Sequence, residues 1–339
     1  MRLAELDYPL PEELIAQEPA PERDGARLLV AERAQPTRHA RVRDLPAVLR
    51  AGDLLVLNDT RVVAARVRGR RPSGGRLDLL FVRPLAGDVW EVLVRGGPRP
   101  GEPVHLPDAA GTWVGALGEG LWSLRVATAE PILDWLERVG EVPLPPYIRR
   151  PDGPTPRDRE RYQTVFAAAR GAVAAPTAGL HLTPALLDAL GATGIETARL
   201  TLHVGPATFQ PLREDDLDRV RLGAERWIVP SDTAARVNAT RAAGGRIVAV
   251  GTTSVRALET AADAGGALRA GAGETTLFIR PGHRFRCVDA LLTNFHLPRS
   301  PLLALVSALA GWDRVRAAYA EAVACRYRFY SYGDAMLLT

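Results

Sequence analysis

Between residues 54 and 127 the chain is cut into short apolar stretches by turn-forming clusters, and this limits its possible folds more than any other feature. The breaks fall at Ser73-Gly74-Gly75, Ala86-Gly87-Asp88, Arg99-Pro100-Gly101, Ala110-Gly111-Thr112 and Gly118-Glu119-Gly120. Residues 54–67 carry the apolar and β-branched side chains of strands, and no long helical repeat runs through the region. Several strands with regular turn signals predict a small antiparallel barrel or sandwich.

The pattern changes after this region. Residues 131–139 read as a short helix with Ile132, Trp135 and Leu136 on one side and Gly140 at its end. The segment Pro143-Leu-Pro-Pro-Tyr-Ile148 is too proline-rich for regular structure and reads as a rigid connector presenting Tyr147. From about residue 157, strands and helices alternate. Helices are expected at 184–190, from 251 through 262, at 301–310 and at 315–325, and strands at 195–204, 246–250, 275–279 and 288–293. Such alternation builds a layered α/β domain. The expected fold class is therefore α/β; the β-rich part is a barrel or a sandwich, and spacing alone leaves open whether the first 55 or so residues join the layered domain and make that part an insertion.

Composition narrows the function classes. A chain that is 47% hydrophobic and 24% charged is ordinary for a soluble globular protein. No apolar run approaches the roughly 20 residues of a membrane helix, and the first residues lack the apolar core of a signal peptide. Cys287 and Cys325 have no metal-type spacing, so neither a disulfide nor a metal is expected and a reducing cytoplasm fits. A cytoplasmic monomer without membrane contact is the expectation. All 43 basic residues are arginine. The absence of lysine excludes a P-loop lysine, a Schiff base and a lysine general base. Arg66, Arg68 and Arg70 alternate along one strand face, and Arg149, Arg150, Arg157, Arg159 and Arg161 crowd the proline-rich segment. Each cluster reads equally well as solvated surface, but together they suggest a phosphate-tracking surface.

Residues 171–183, Gly-Ala-Val-Ala-Ala-Pro-Thr-Ala-Gly-Leu-His-Leu-Thr, cannot be an ordinary core helix. The run closes on His181 and then Thr183-Pro184, an N-cap followed by proline at the first helical position. It reads as a loop delivering His181 to a helix start, where anionic groups are favoured. A strand ending in Gly251-Thr252-Thr253-Ser254 offers hydroxyls and N–H groups at a second helix start. This is neither a Rossmann fingerprint nor a Walker A motif, and a simple capped turn explains it equally well. His203 stands at a strand end before a Gly-Pro turn and Thr208-Phe209, and Asn294-Phe-His296-Leu-Pro298 repeats that arrangement. The aromatic run from Tyr327 to Asp334 suits either stacking on a base or docking into the core.

Taken together, these segments resemble the S-adenosylmethionine:tRNA ribosyltransferase-isomerase family of queuosine biosynthesis. The resemblance runs end to end, through Leu14-Ile-Ala-Gln17, Arg27-Leu-Leu29, residues 52–62, Gly74-Gly75, 143–148, Tyr162-Gln-Thr-Val165, 171–183, 202–211, Val250-Gly-Thr-Thr-Ser-Val-Arg256, 288–298 and 327–336. It implies transfer and isomerisation of the ribosyl part of S-adenosylmethionine onto 7-aminomethyl-7-deazaguanine at the tRNA wobble position, giving epoxyqueuosine and releasing adenine and methionine. It also implies a layered α/β domain, here the discontinuous residues 1–60 and 153–339, carrying an inserted small antiparallel β-barrel, here residues 61–152. The sulfonium acidifies the adjacent ribose CH₂, so the reaction needs a base there, and departing adenine benefits from a proton. Without lysine the candidates are His181, His203, His296, Asp59, Glu225, Glu259 and Asp334, and the reading favours His181 and His203. Thr177, Gly179, Thr252, Thr253, Ser254, Arg256 and Asn294 are expected around the co-substrate. Asn58, Arg61, Tyr147 and Tyr162 are expected on the tRNA side. The chain departs from the family pattern His-x-Met-His-x-Glu at Val220-Arg-Leu-Gly-Ala-Glu225, where only Glu225 remains, and Ala207 replaces a glycine. Arg219 or Arg221 is expected to substitute for the lost histidines. The competing readings are a diverged relative with another acceptor and a non-catalytic RNA-binding module.

Overall fold

The stretch Leu54–Asn58 is buried at all five positions, which places it at the centre of a sheet covered on both faces. The computed structural model describes residues 2–205 and 215–339. Its strands are β1 Arg27–Ala31, β2 Arg38–Arg41, β3 Leu54–Asn58, β4 Thr60–Val62, β5 Arg66–Arg70, β6 Arg76–Pro84, β7 Val89–Val94, β8 Pro103–Leu106, β9 Ala109–Gly118, β10 Leu121–Ala127, β11 Ala169–Ala172, β12 Glu196–Leu202, β13 Glu225–Val229, β14 Ile247–Val250, β15 Gly271–Thr275, β16 Ala290–Asn294 and β17 Ala335–Leu338. The α-helices are α1 Leu45–Val48, α2 Ile132–Val139, α3 Pro156–Arg161, α4 Pro184–Ala192, α5 Ser231–Ala242, α6 Thr252–Ala261, α7 Pro301–Ala310 and α8 Trp312–Ala324.

Nine strands form one mixed sheet in the order β15-β13-β12-β3-β14-β16-β17-β1-β2. Its middle, β12-β3-β14-β16, is parallel, and antiparallel pairings begin outside it at β12–β13 and β16–β17. Alternate side chains of β3 enter different cores. Leu54 and Val56 pack with Val237, Leu258, Leu303 and Val315 from α5 to α8. Leu55 and Leu57 pack with Leu45 of α1 and Leu186 and Leu190 of α4. The result is a layered α/β body with helices on both faces, and β1 and β2 from the first 55 residues complete one edge of it.

Strands β5 to β10 close into a six-stranded antiparallel barrel. Val67, Leu79, Phe81, Val92, Trp113 and Leu124 fill it, with Trp135 and Leu136 of α2 packed against them. The chain leaves for the barrel after β4 and returns at β11, and these two short strands pair in parallel. The five positions of β5 alternate exposed and buried, so its three arginines do share the outer face.

Two local expectations are corrected. Residues 275–279 are not a strand; β15 ends at Thr275, and the Leu277 carbonyl instead accepts from Arg256 Nε at 2.9 Å. The glycine-rich β15 holds as an edge strand because β13 supplies its ladder. Ala110-Gly111-Thr112 is not a turn but lies within β9, where a Cβ on Gly111 would stand 2.6 Å from Val104. That glycine allows close packing inside the barrel.

Candidate active site

The Gly251 backbone, at φ +88, turns β14 into α6 at the carboxyl edge of the sheet. This sets Thr252 and Thr253 on the wall of a cleft. Segment 175–178, the end of β16 with Thr293, Asn294 and His296, and the Tyr330-Ser331 pair form the other walls, and Tyr147 from the connector closes one side. Tyr147 and Tyr330 meet edge to face with ring centroids 3.9 Å apart, and the Tyr147 hydroxyl bonds Ser331 Oγ. Burial raises Tyr147 well above the ordinary phenol range and pushes Tyr330 up to about 12, so both remain neutral hydrogen-bonding groups at pH 7. Tyr330 holds φ +74, a conformation uncommon for an aromatic residue and one that concentrates at functional sites. The aromatic run therefore divides: Tyr327 and Phe329 enter the core, and Tyr330 and Ser331 line the cleft.

Asn294 is 2% exposed and oriented by its neighbours. Its Nδ2 donates to His181 Nε2 at 3.1 Å and to the Asp334 carbonyl at 3.5 Å, which leaves Oδ1 with no partner. A buried acceptor without a donor costs roughly 1–3 kcal/mol, and here it belongs to a side chain of the cleft lining. His181 itself lies behind Asn294, in a small cavity with Arg23, Arg161 and Ser331. Its ring also hydrogen-bonds the Arg23 backbone, and burial lowers it to about 4, so it is a neutral imidazole with both edges engaged.

The other expected proton carrier, His203, accompanies Thr60 rather than the cleft. Its Nδ1 is 2.8 Å from Thr60 Oγ1, and its ring packs beneath Gly171, where a Cβ would come within 2.9 Å of Cε1. Burial and then Arg226 lower it to about 4. His296 is the histidine in the cleft wall. Thr293 Oγ1 lies 2.9 Å from its Nε2, its backbone N–H donates to the Tyr319 hydroxyl oxygen at 3.0 Å, and burial alone takes it down to about 3.

Of the residues expected at the co-substrate, Thr177, Thr252, Thr253 and Asn294 line this cleft. Gly179 and Ser254 do not. Gly179 packs under Phe166 and Thr164, and Ser254 is fully buried with Oγ donating to the Val250 carbonyl at 2.8 Å. On the expected tRNA side, only Tyr147 reaches the cleft. Asn58 is buried, bonded to Leu202 and to Thr253 Oγ1 at 3.1 Å, so it fixes Thr253. Tyr162 is 1% exposed against Tyr332. Arg61 is exposed in a separate groove with Arg23, Arg159 and Gln163, at the junction of the barrel and the sheet. The helix start at Thr183 is no anion site, since Thr183 Oγ1 caps Leu186 N and lies 3.4 Å from the Asp24 carboxylate.

A second, narrow pocket shares Thr252, Thr253 and Leu302 with the first. Arg256 lines it, in a buried ion pair with Glu225 whose Oε1 accepts from Gly205 N at 2.9 Å. Gly223, where the family pattern carries a histidine, is part of its wall, while Val220 belongs to the core. Arg219 and Arg221 do not replace those histidines: the first pairs with Asp216 and the second donates to the Asp218 and Val220 carbonyls. Ala207, Thr208 and Phe209 lie outside the described residues.

Three of the candidate acids are structurally occupied. Glu259 accepts from the backbone of Arg286, Cys287 and Val288, Asp334 from Arg27 and Arg328, and Asp59 from Thr201 Oγ1. Among the described residues no group of three or more His, Cys, Asp or Glu side chains could hold a metal, and no helix is long and apolar enough to cross a membrane. The arginine clusters are largely neutralised within the protein, with Arg66 on Asp78, Arg68 on Glu141, Arg149 on Glu12, Arg150 on Asp158 and Arg159 on Glu137.

Residues 3–338 match the family described as queuosine biosynthesis protein. The chain is 52% identical to the S-adenosylmethionine:tRNA ribosyltransferase-isomerase of Pelobacter propionicus, with both chains fully covered. It is 54% identical to the Acidiphilium cryptum protein of the same name, covering all of this chain and 99% of that one. A crystal structure of S-adenosylmethionine tRNA ribosyltransferase from Thermotoga maritima superposes with a TM-score of 0.57 at 37% identity, covering 99% of this chain and all of the other.

Proposed function

Because the chain belongs to the queuosine biosynthesis protein family, we propose that it transfers and isomerises the ribosyl moiety of S-adenosylmethionine onto 7-aminomethyl-7-deazaguanine at the wobble position of tRNA. The products are epoxyqueuosine in the tRNA, adenine and methionine. The names of its full-length relatives support the reaction class. The observation that carries the reading is the Thr252–Asn294 cleft, which combines hydroxyls, an amide oxygen awaiting a donor and an uncharged imidazole.

The chemistry assigns roles to these groups. Deprotonating the ribose CH₂ beside the sulfonium calls for an unprotonated base, and His296 is the imidazole of the cleft wall, held by Thr293. His181 orients Asn294 instead of moving the proton, since its Nε2 is occupied by that amide. Thr177, Thr252 and Thr253 supply hydroxyl contacts to the co-substrate, and Asn58 acts through Thr253. Tyr147 and Tyr330 offer ring faces and edges to the incoming base, and Arg61 offers a phosphate contact on the barrel side. The assignment is to a cytoplasmic monomer that uses no metal.

The test is release of adenine and methionine from S-adenosylmethionine with an anticodon stem-loop bearing the aminomethyl-deazaguanine. Release is expected only with the modified stem-loop, and His296→Gln should lower kcat by about 10²–10⁴-fold with co-substrate binding retained. No release by folded protein under these conditions overturns the proposal. The missing histidine at Gly223 motivates one second reading, a different acceptor, which normal turnover on the standard stem-loop would eliminate.

A further inference from the structure

The second cavity has the chemical makeup of a seat for an α-amino acid. The Arg256 guanidinium is 6% exposed and fixed on two sides, by Glu225 at Nη1 and by the Leu277 carbonyl at Nε. Nη2 has no acceptor. A buried charged donor in this state is costly, and a ligand carboxylate would satisfy it through a charge-assisted bond. Glu225 stands in the same lining and leaves the site without excess positive charge. An isolated anion such as phosphate would be repelled by it, whereas a zwitterion presents a carboxylate to one partner and an ammonium to the other. Leu222, Phe278, Ile279 and Leu305 make the remaining wall apolar, suited to a methylene chain ending in sulfur. Gly223 adds no side chain to the space. The cavity meets the first cleft at Thr252, Thr253 and Leu302, so one extended ligand can occupy both.

We infer that this cavity receives the amino-acid end of the co-substrate, with the carboxylate on Arg256 and the ammonium facing Glu225, while the nucleoside lies in the Asn294 cleft. The inference rests on the proposed use of S-adenosylmethionine and adds its direction of binding. Asn294 Oδ1, the orphan acceptor of the first cleft, then matches the exocyclic amine of adenine, a donor. Each of the two orphaned buried groups meets the ligand end of complementary chemistry.

The experiment compares calorimetric binding of S-adenosylmethionine with that of 5′-deoxy-5′-methylthioadenosine, the same nucleoside thioether lacking the amino acid, and of free methionine. Two variants are used. Arg256→Gln combined with Glu225→Gln removes both charges without stranding either, and Gly223→Leu narrows the cavity from its rim. Both should weaken S-adenosylmethionine by about 10- to 100-fold, leaving methylthioadenosine unchanged in protein that melts cooperatively. Free methionine should bind weakly to the wild type and not to the charge-free variant. If both nucleosides weaken equally, or neither does, the cavity does not hold the amino acid, although the co-substrate reading survives. If the wild type binds neither nucleoside, even with the modified stem-loop, the co-substrate reading falls and takes this inference with it.

Discussion

Asn294 and His181 divide one task between two side chains 113 residues apart. The amide can aim Oδ1 at the cleft because Nδ2 is held by the imidazole and by the Asp334 carbonyl. Losing one such buried hydrogen bond costs about 1–3 kcal/mol. His181→Ala should therefore raise KM for S-adenosylmethionine by about tenfold and leave kcat little changed, with Asn294→Ala showing the same split. His181→Gln should recover part of the loss, because its side-chain oxygen can accept from Asn294. A collapse of kcat in His181→Ala, restored by added imidazole, would instead make His181 the proton carrier. The sequence marks both residues as candidates but not their relation. A histidine closing a small-residue loop looks like a reactive group until the fold shows that its lone pair is already taken. The cleft histidine, His296, carries the same local signature as His203, a strand end followed by proline. Only tertiary position separates the two.

At the level of elements, the step from β14 into α6 does most to place the site, and it depends on one backbone conformation. A Cβ on Gly251 would find nothing nearer than 3.7 Å, so the restriction comes from φ +88 and not from crowding. Gly244, at φ +78 after α5, has open space around it and serves as a control. Gly244→Ala should lose about 1–2 kcal/mol, and Gly251→Ala, whose ψ of 151 puts it in a region nearly confined to glycine, about 1–3 kcal/mol. Only Gly251→Ala should also lose turnover, because relaxing that turn displaces Thr252 and Thr253. Equal activity in the two variants would show that the helix start does not need this geometry. This element was legible from its strand pattern and hydroxyl-rich turn. Arg256 in the same helix is legible only in part: the family resemblance sets it with the co-substrate, but its Glu225 partner comes from β13, and no local pattern links the two. The displaced strand near residue 275 has a similar origin, since an edge strand of glycines is held by ladder bonds from its neighbour and leaves little pattern of its own.

Across the whole molecule, the β-rich part and the alternating part are visible in turn spacing and alternation, whereas closure of the barrel and its insertion after β4 are not, and neither are the partners of the clustered arginines. Arg66, Arg68, Arg149, Arg150 and Arg159 face carboxylates of the same chain, of which only Asp158 is buried. A consequence legible only from the fold is the protein's response to acid. Burial, aided at His203 by Arg226, takes His181 and His203 from 6.5 down to about 4 and His296 to about 3. In the unfolded chain each accepts a proton near its ordinary value of about 6.5. Between those limits the unfolded state binds more protons, so stability is complete above about pH 6.5 and declines as pH falls toward 3. For His181 alone the loss is on the order of 3 kcal/mol. Asp158 extends the trend: against the effect of burial, Arg150 and Thr155 hold it down to about 2, so its contribution persists above 3.8 and disappears toward 2. The urea midpoint should therefore be flat above about pH 6.5 and drop steadily to about pH 4.5, with a shallower slope in His181→Gln and His296→Gln. A midpoint unchanged over that range would mean that the folded protein protonates these histidines as readily as the unfolded chain does, at about 6.5, and that burial does not hold them neutral in acid. Abstraction by His296 would then fail at about pH 6, whereas an imidazole kept neutral by burial keeps its lone pair there.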